Sequence, residues 1–354
     1  MKRLIPLFTL LPFISYCQYT AIPDQNFEQA LIDLGYDYVI DGQVLSSNIN
    51  TLLVLDVDGK NITDLTGIEG FTALTSLNCS QNQLTSLDLT QNTALTSLSC
   101  SQNQLTSLDV SQNIELESFI CHFNQLTGLD LSANYALRIL SCGSHWASCG
   151  NSLTSLDVSN NTALIYLYCG NNELTSLDVS QNTELLQLYC QQNQLTSLDV
   201  SQNTELEELI CYSNQLNCLN IANGIYFNLG NTTNNPNLSC IETHDVDLPT
   251  WNWTVDPQTS FSENCNYPSN CFSTTSILEQ TNSISLYPNP TNNLITLDIE
   301  GYNGLVNVEV YDLTGKLLQS TTNTTISMGE YAKGIYVFKV AYGDRVEKLK
   351  VVKE

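Results

Sequence analysis

Residues 74–94 read LTSLNCSQNQLTSLDLTQNTA, and the same phrase restarts at Leu95, Leu116, Leu137, Leu164, Leu185 and Leu206. The step is 21 residues each time except from 137 to 164, where it is 27. Within each unit, apolar residues fall at positions 1, 4, 6, 11, 14 and 16 and an asparagine at position 9. In the first unit these are Leu74, Leu77, Cys79, Leu84, Leu87, Leu89 and Asn82. The L-x-x-L-x-apolar spacing is that of a short strand with alternate residues inward. The unit is nearly doubled internally (LTSLNCSQNQ beside LTSLDLTQNTA), which predicts a second short strand on the opposite side of each turn. One such turn cannot bury its leucines alone, whereas stacked turns share a continuous core. About 42 inward side chains at roughly 1.5–3 kcal/mol each are ample for a stable array. At about 4.8 Å per strand, seven turns extend roughly 34 Å.

This pattern resembles the leucine-rich repeats of the 21-residue, cysteine-ladder class seen in some internalins, over residues 50–226. The resemblance implies a solenoid with one parallel strand per turn lining a concave face. Its open ends need caps. Asn26 to Gly35 reads as a short amphipathic helix ending at glycine, similar to the helical cap that precedes this repeat class. The amino-terminal cap is placed at 18–49, and 52–73 reads as a divergent first turn. From Leu216 to Cys265 the repeat fades and Cys, Trp and Pro enter, so 227–265 is read as the carboxy-terminal cap.

Seven of the 13 cysteines occupy repeat position 6: Cys79, Cys100, Cys121, Cys142, Cys169, Cys190 and Cys211. Disulfides are the usual expectation for an exported chain. Here the side chains stack in parallel register, an arrangement poorly suited to disulfide geometry, and buried cysteine acts as a small hydrophobe. They are expected to be reduced. With no histidine among them, a zinc site is not expected. Cys149, Cys218, Cys240, Cys265 and Cys271 lie in the insertion and the cap. Cys240–Cys265 is the preferred disulfide, and Cys149 with Cys142 is a second local option.

Positions 3, 5, 7 and 8 of each unit are expected to face outward on the concave side. The first two turns place Ser, Asn and Gln there. Later turns place Ile120, His122, Phe123, Tyr166, Tyr168, Tyr189, Ile210 and Tyr212, with Trp146 and His145 on the 6-residue insertion beside them. Exposed aromatics of limited rotamer freedom are favoured contact residues. These nine residues, His145 aside, form the candidate ligand-binding surface. The competing reading is cross-strand stacking of β-favouring residues without a ligand.

A column of aspartates recurs at position 15: Asp88, Asp109, Asp130, Asp157, Asp178 and Asp199. Calcium sites usually draw several ligands from one loop, and no D-x-D-x-D-G loop occurs. The column is therefore read as structural, accepting hydrogen bonds from nearby backbone or hydroxyl groups. Neither a metal nor a cofactor is expected. The three histidines, His122, His145 and His244, are scattered, and no G-x-S-x-G, H-E-x-x-H or phosphate-binding loop appears. The chain is read as a non-enzyme.

The chain has 354 residues and a formal charge of −25. Residues 18–281 contain 2 basic and 28 acidic side chains, and residues 282–354 contain 7 and 8. Such an acidic balance argues against nucleic acid and anionic membranes as partners. The break in composition marks a boundary near 280, after a polar linker at 266–282.

Residues 283–354 alternate in short strand-like runs separated by turn signals, which predicts a small antiparallel β-sandwich. Tyr287-Pro288-Asn289-Pro290, Tyr311 to Lys316, Gly334 to Val340 and the final Lys348 to Lys353 run resemble a type A sorting domain of the type IX secretion system. That resemblance implies a translocon partner and export across the outer membrane of a Gram-negative bacterium. Residues 1–17 fit a signal peptide: Met1-Lys2-Arg3, an apolar Leu4–Ile14 stretch and Ser15-Tyr16-Cys17 before the cleavage point. No other run has the 18 apolar residues of a membrane helix. The fold class is thus mainly β: a leucine-rich repeat solenoid with a helical cap, followed by a small sandwich. The expected function is binding of a protein or glycan ligand by a secreted or surface-displayed protein. A structural or adhesive surface role without one specific ligand is the alternative.

Overall fold

The computed structural model describes residues 18–144, 150–224, 227–246, 252–268, 271–272 and, with short gaps, 284–353. The signal read at 1–17, the insertion residues His145, Trp146 and Cys149, and the stretch 273–283 lie outside the described residues. The chain divides into two compact units, Met1–Phe272 and Ser273–Glu354.

In the first unit a ten-stranded, all-parallel sheet forms one side of a solenoid. Its strands begin at Val54–Asp56 and advance by one turn each through Ser76–Asn78, Ser97–Ser99, Ser118–Ile120, Ile139–Ser141, Tyr166–Tyr168, Gln187–Tyr189 and Glu208–Ile210. Positions 1, 4, 6, 11 and 16 are buried in all seven units, so the leucine spacing converts directly into one core. Position 14 is buried less completely: Leu87 and Leu129 are half-buried. The second, convex sheet exists only towards the far end, as Ser197–Asp199, Cys218–Asn220, Cys240–Glu242 and Ser260–Ser262. In earlier turns the doubled half of the unit stacks without forming strands.

Asparagine fastens the turns together. Asn103 Oδ1 accepts from Leu84 N of the preceding turn at 3.0 Å, while its Nδ2 donates to Cys79 O and Cys100 O at 3.0 and 3.1 Å. Asn124, Asn151, Asn172, Asn193 and Asn214 repeat this arrangement. A second column, Asn92, Asn113, Asn134, Asn161, Asn182 and Asn203, is fully buried and donates to carbonyls one turn back. It is the position-9 asparagine of the doubled half-unit.

The amino-terminal cap contains the expected helix, Gln25–Asp33, with Asp24 as N-cap. Gly35 lies at φ +82, and Tyr36 N reaches back to Leu31 O at 2.9 Å, the bond that closes a helix after a left-handed residue. Phe27 and Phe71 rings stack at 6.2 Å, joining helix to first turn. Glu28 is fully buried, its Oε1 accepting from the backbone N–H groups of Asp41, Gly42 and Gln43.

The reading of 216–265 as a region where the repeat is lost requires correction, because the backbone continues to stack. Leu229–Asn231 and Trp253–Thr254 extend the concave sheet. Asn235 holds the ladder position, accepting from Leu216 N at 3.0 Å and donating to Cys211 O at 3.1 Å. Gly230 stands where leucine is expected; a Cβ there would lie 2.2 Å from the Trp253 ring. Trp253 packs edge-to-face on Phe227 and Phe261 at 5.2 and 5.8 Å and so closes the end of the core.

Cys240 and Cys265 form a disulfide, and Cys218 pairs with Cys271. All seven ladder cysteines are free and buried, including Cys142. Residues 266–272, read as linker, belong to the first unit. Cys271 is bonded to Cys218, and Tyr267 Oη donates to the carbonyls of Leu219 and Cys240 at 2.9 and 2.6 Å.

The second unit is an antiparallel sandwich of a three-stranded and a four-stranded sheet. Ile295, Leu297, Val308, Val310, Ile326, Phe338, Val340 and Val351 share its core. Thr325–Ser327 is a strand that the alternation of the sequence did not mark. Asn289 clamps the last strand with its side chain, donating to Lys350 O at 2.8 Å and accepting from Val352 N at 2.9 Å.

Candidate functional site

Strand register fixes what the concave face presents. Because neighbouring strands are parallel and in step, each repeat position forms a column: Ile120 pairs with Ser141, Ser141 with Tyr168, Tyr168 with Tyr189, and Tyr189 with Ile210. Ile120, His122, Phe123, Tyr166, Tyr168, Tyr189, Ile210 and Tyr212 all lie on this side and are half-buried. Trp146 lies outside the described residues.

The aromatics interact with one another. Tyr168 sits edge-to-face on Tyr189 at 5.1 Å, and Tyr166 stacks on Tyr168 at 6.4 Å. Tyr168 Oη donates to Gln187 Oε1 at 2.5 Å, and Tyr189 Oη donates to the Glu208 carboxylate. Each tyrosine at position 5 thus engages position 3 of the following turn. Partial burial, with Glu208 nearby, holds both phenols above the usual tyrosine range. They are neutral hydrogen-bond donors at any physiological pH.

Position 7 is less outward than its place in the strand suggests. Ser80 and Ser101 are buried in a hydroxyl chain with Ser99. Gly143 and Gly170 have no room for a side chain: a Cβ on Gly143 would lie 2.0 Å from Gly170 O, and one on Gly170 would lie 2.6 Å from Gln191. Gln191 is fully buried and, with Asn171, donates to Ser144 O at 2.9 and 2.8 Å. These bonds tether the chain where the insertion leaves the face. Asn151 then resumes the ladder, so the insertion leaves the core register intact.

Position 8 carries a conformational signal that the sequence reading did not include. Gln81, Gln102, Phe123, Asn171, Gln192 and Ser213 all have φ between 54 and 58. Asparagine tolerates this left-handed region best; a bulky ring there is unusual. Phe123, at φ 56, sets its ring at 5.2 Å edge-to-face on His122. The conformation itself belongs to the repeat, since turns with glutamine or serine at this position share it.

His122 Nδ1 lies 3.1 Å from Ser141 Oγ, but that hydroxyl is buried and donates to Gly143 O at 3.3 Å, a structural role. The position-15 aspartates behave as the structural reading expects. Asp88, Asp109, Asp130, Asp157, Asp178 and Asp199 each accept from the backbone N–H two residues on, at 2.9–3.0 Å. Among the described residues, no three His, Cys, Asp or Glu side chains are placed to hold a metal ion, and no helix is long and apolar enough to cross a membrane.

Residues 285–354 match the family of secretion system C-terminal sorting domains. Over 71 residues the chain is 38% identical to internalin J of Listeria monocytogenes serotype 4b (strain F2365), which is 20% of this chain and 8% of that protein. The solved functional domain of internalin J from Listeria monocytogenes, described as including a cysteine ladder, is 34% identical. It is similar with a TM-score of 0.58 over 67% of this chain and 56% of that one. The chain therefore spans a small part of the curated internalin J and just over half of its solved domain.

Proposed function

We propose that this chain, a leucine-rich repeat solenoid with a cysteine ladder joined to a secretion system C-terminal sorting domain, is an exported binding protein that contacts a protein or glycan through its concave face. The sorting domain is the address and the solenoid the cargo. The likeness of residues 285–354 to secretion system C-terminal sorting domains supports export through the type IX translocon of a Gram-negative bacterium, with release or display at the outer surface. The observation that carries the binding reading is the set of half-buried aromatics in turns three and five to seven, beside two turns of serine and asparagine. Phe123 adds a ring to that set at a position where Gln81 and Gln102 of the first two turns present only an amide.

No catalytic role is assigned, since the one histidine in the column pairs with a buried serine. The alternative, a stiff acidic surface element without one ligand, draws support from the tyrosine hydroxyls, which already have partners within the sheet. The two readings separate cleanly. The labelled full chain is screened against a glycan array and a panel of extracellular proteins, together with the Tyr168→Ser, Tyr189→Ser, Tyr212→Ser triple variant. Saturable binding lost in the folded variant supports the face as the site; equal binding by both proteins overturns it.

A further inference from the structure

The aromatic half of the concave face has a charge bias that narrows its partner, an inference that rests on the binding reading above. The hydroxyls of Tyr168 and Tyr189 are engaged by Gln187 and Glu208, so the surface on offer is chiefly ring, with a carboxylate at its edge. Glu208 is half-buried on the Glu208–Ile210 strand. Its charge acts on Tyr168 as well as on Tyr189. Among the described residues the ion pairs are Lys60–Asp33 and Lys339–Glu309, so no lysine or arginine there neutralises Glu208.

The bias extends along the face. From Val54 to Tyr212, strand positions 3, 5 and 7 carry Asp56, Asp58 and Glu208 and neither lysine nor arginine. The face of an aromatic ring is electron-rich and attracts Lys ammonium or Arg guanidinium, more so where water is partly excluded. A carboxylate beside such rings that no lysine or arginine neutralises adds to that attraction and repels phosphate, sulfate and acidic sugars. The surroundings do not offset this, because residues 18–281 contain 2 basic against 28 acidic side chains.

We propose that the aromatic half of the concave face binds a basic polypeptide segment, with a Lys or Arg side chain lying on the Tyr168–Tyr189 ring pair and Glu208 as its counter-charge. Neutral glycans fit the rings and can donate hydroxyls to Glu208, an acceptor that Glu208→Gln preserves, so a cation alone senses the loss of its charge; acidic glycans are repelled by it.

The test uses the full chain and a fluorescent arginine-rich nonapeptide, with a neutral glycan array in parallel. Glu208→Gln keeps an acceptor for Tyr189 and removes one charge; Asp109→Asn removes one charge from the convex side. Thermal melts confirm that each variant is folded. The expected result is peptide affinity lowered about fivefold by Glu208→Gln, lowered further by Tyr168→Ser with Tyr189→Ser, and unchanged by Asp109→Asn. Equal losses in Glu208→Gln and Asp109→Asn mean diffuse attraction to an acidic protein and overturn the proposal. Glycan binding that depends on the tyrosines but not on Glu208 also overturns it, while leaving the binding reading intact. Binding of every probe that is indifferent to the tyrosines removes both.

Discussion

Asp24 caps the Gln25–Asp33 helix with one carboxylate oxygen and holds Thr63, 39 residues away, with the other. Oδ1 accepts from Asn26 N and Phe27 N at 2.8 and 3.0 Å. Oδ2 accepts from Thr63 N, Thr63 Oγ1 and Asp64 N at 2.8, 2.7 and 3.0 Å. One side chain therefore fastens the cap to the first turn. Burial pushes its pKa up, but the bonds from Thr63, Phe27 and Asp64 outweigh that and hold it below the usual aspartate value.

Asp24→Ala should destabilise the cap by about 0.5–2 kcal/mol, the usual range for losing an N-cap. A carboxylate whose pKa is lower in the folded state contributes stability at neutral pH and loses it as pH falls through the folded value. The wild type should therefore lose cap protection on acidification below about pH 4, and the variant should show less of that loss. Hydrogen exchange of residues 25–33 across a pH series measures both effects.

The asparagine and aspartate columns should respond very differently to mutation. Asn103→Ala strips partners from Leu84 N, Cys79 O and Cys100 O inside the core, and unsatisfied buried backbone is costly. A loss of about 2–4 kcal/mol is expected from urea unfolding. Asp109→Ala removes only a bond made in solvent, and its midpoint should stay close to that of the wild type.

Burial pushes the Cys79, Cys142 and Cys211 thiols up to about 12. The thiolate is the reactive form, so iodoacetamide at pH 8 should leave all seven ladder cysteines unmodified in the native chain and alkylate all seven after unfolding. Peptide mapping by mass spectrometry gives the count. The same map without reductant should recover Cys240–Cys265 and Cys218–Cys271 as linked peptides. Ladder alkylation in the folded protein overturns the sealed-core account.

Phe123→Asn tests whether the ring at a left-handed position serves binding. The substitution places there a residue that tolerates φ 56, and Asn171 already occupies the equivalent place. Thermal stability should be unchanged or raised by about 1 kcal/mol, while affinity for any concave-face ligand falls. Reduced stability with affinity retained would mean that the ring is held for packing alone.

The period of the leucines, the inward cysteines and the sandwich strands other than Thr325–Ser327 were legible because each depends on local spacing, and Cys240–Cys265 because it closes a short segment of the cap. Other features depend on partners distant in sequence. Cys218–Cys271 spans 53 residues and needs the cap folded around it. Turns beyond Tyr226 were hidden because Trp253 replaces a leucine by filling the space above Gly230, a substitution in three dimensions that no alignment of repeat positions displays. The second asparagine column was present in the doubling of the half-unit but unused. The candidate face was legible as a column of side chains; the hydroxyl pairing of Tyr168 and Tyr189 was not, because it runs between neighbouring turns.

The asparagine ladder also gives the solenoid a direction. Each turn supplies the acceptor that its predecessor needs: Asn124 serves Leu105 as Asn103 serves Leu84. Duplicating or deleting one 21-residue unit leaves every remaining asparagine with an equivalent donor. As far as the asparagine ladder is concerned, the array can change length by whole units, whereas the concave-face bonds Tyr168–Gln187 and Tyr189–Glu208 tie particular turns to their neighbours. Only the two ends, Asp24 with its helix and Trp253 with its aromatic neighbours, are irreplaceable pieces.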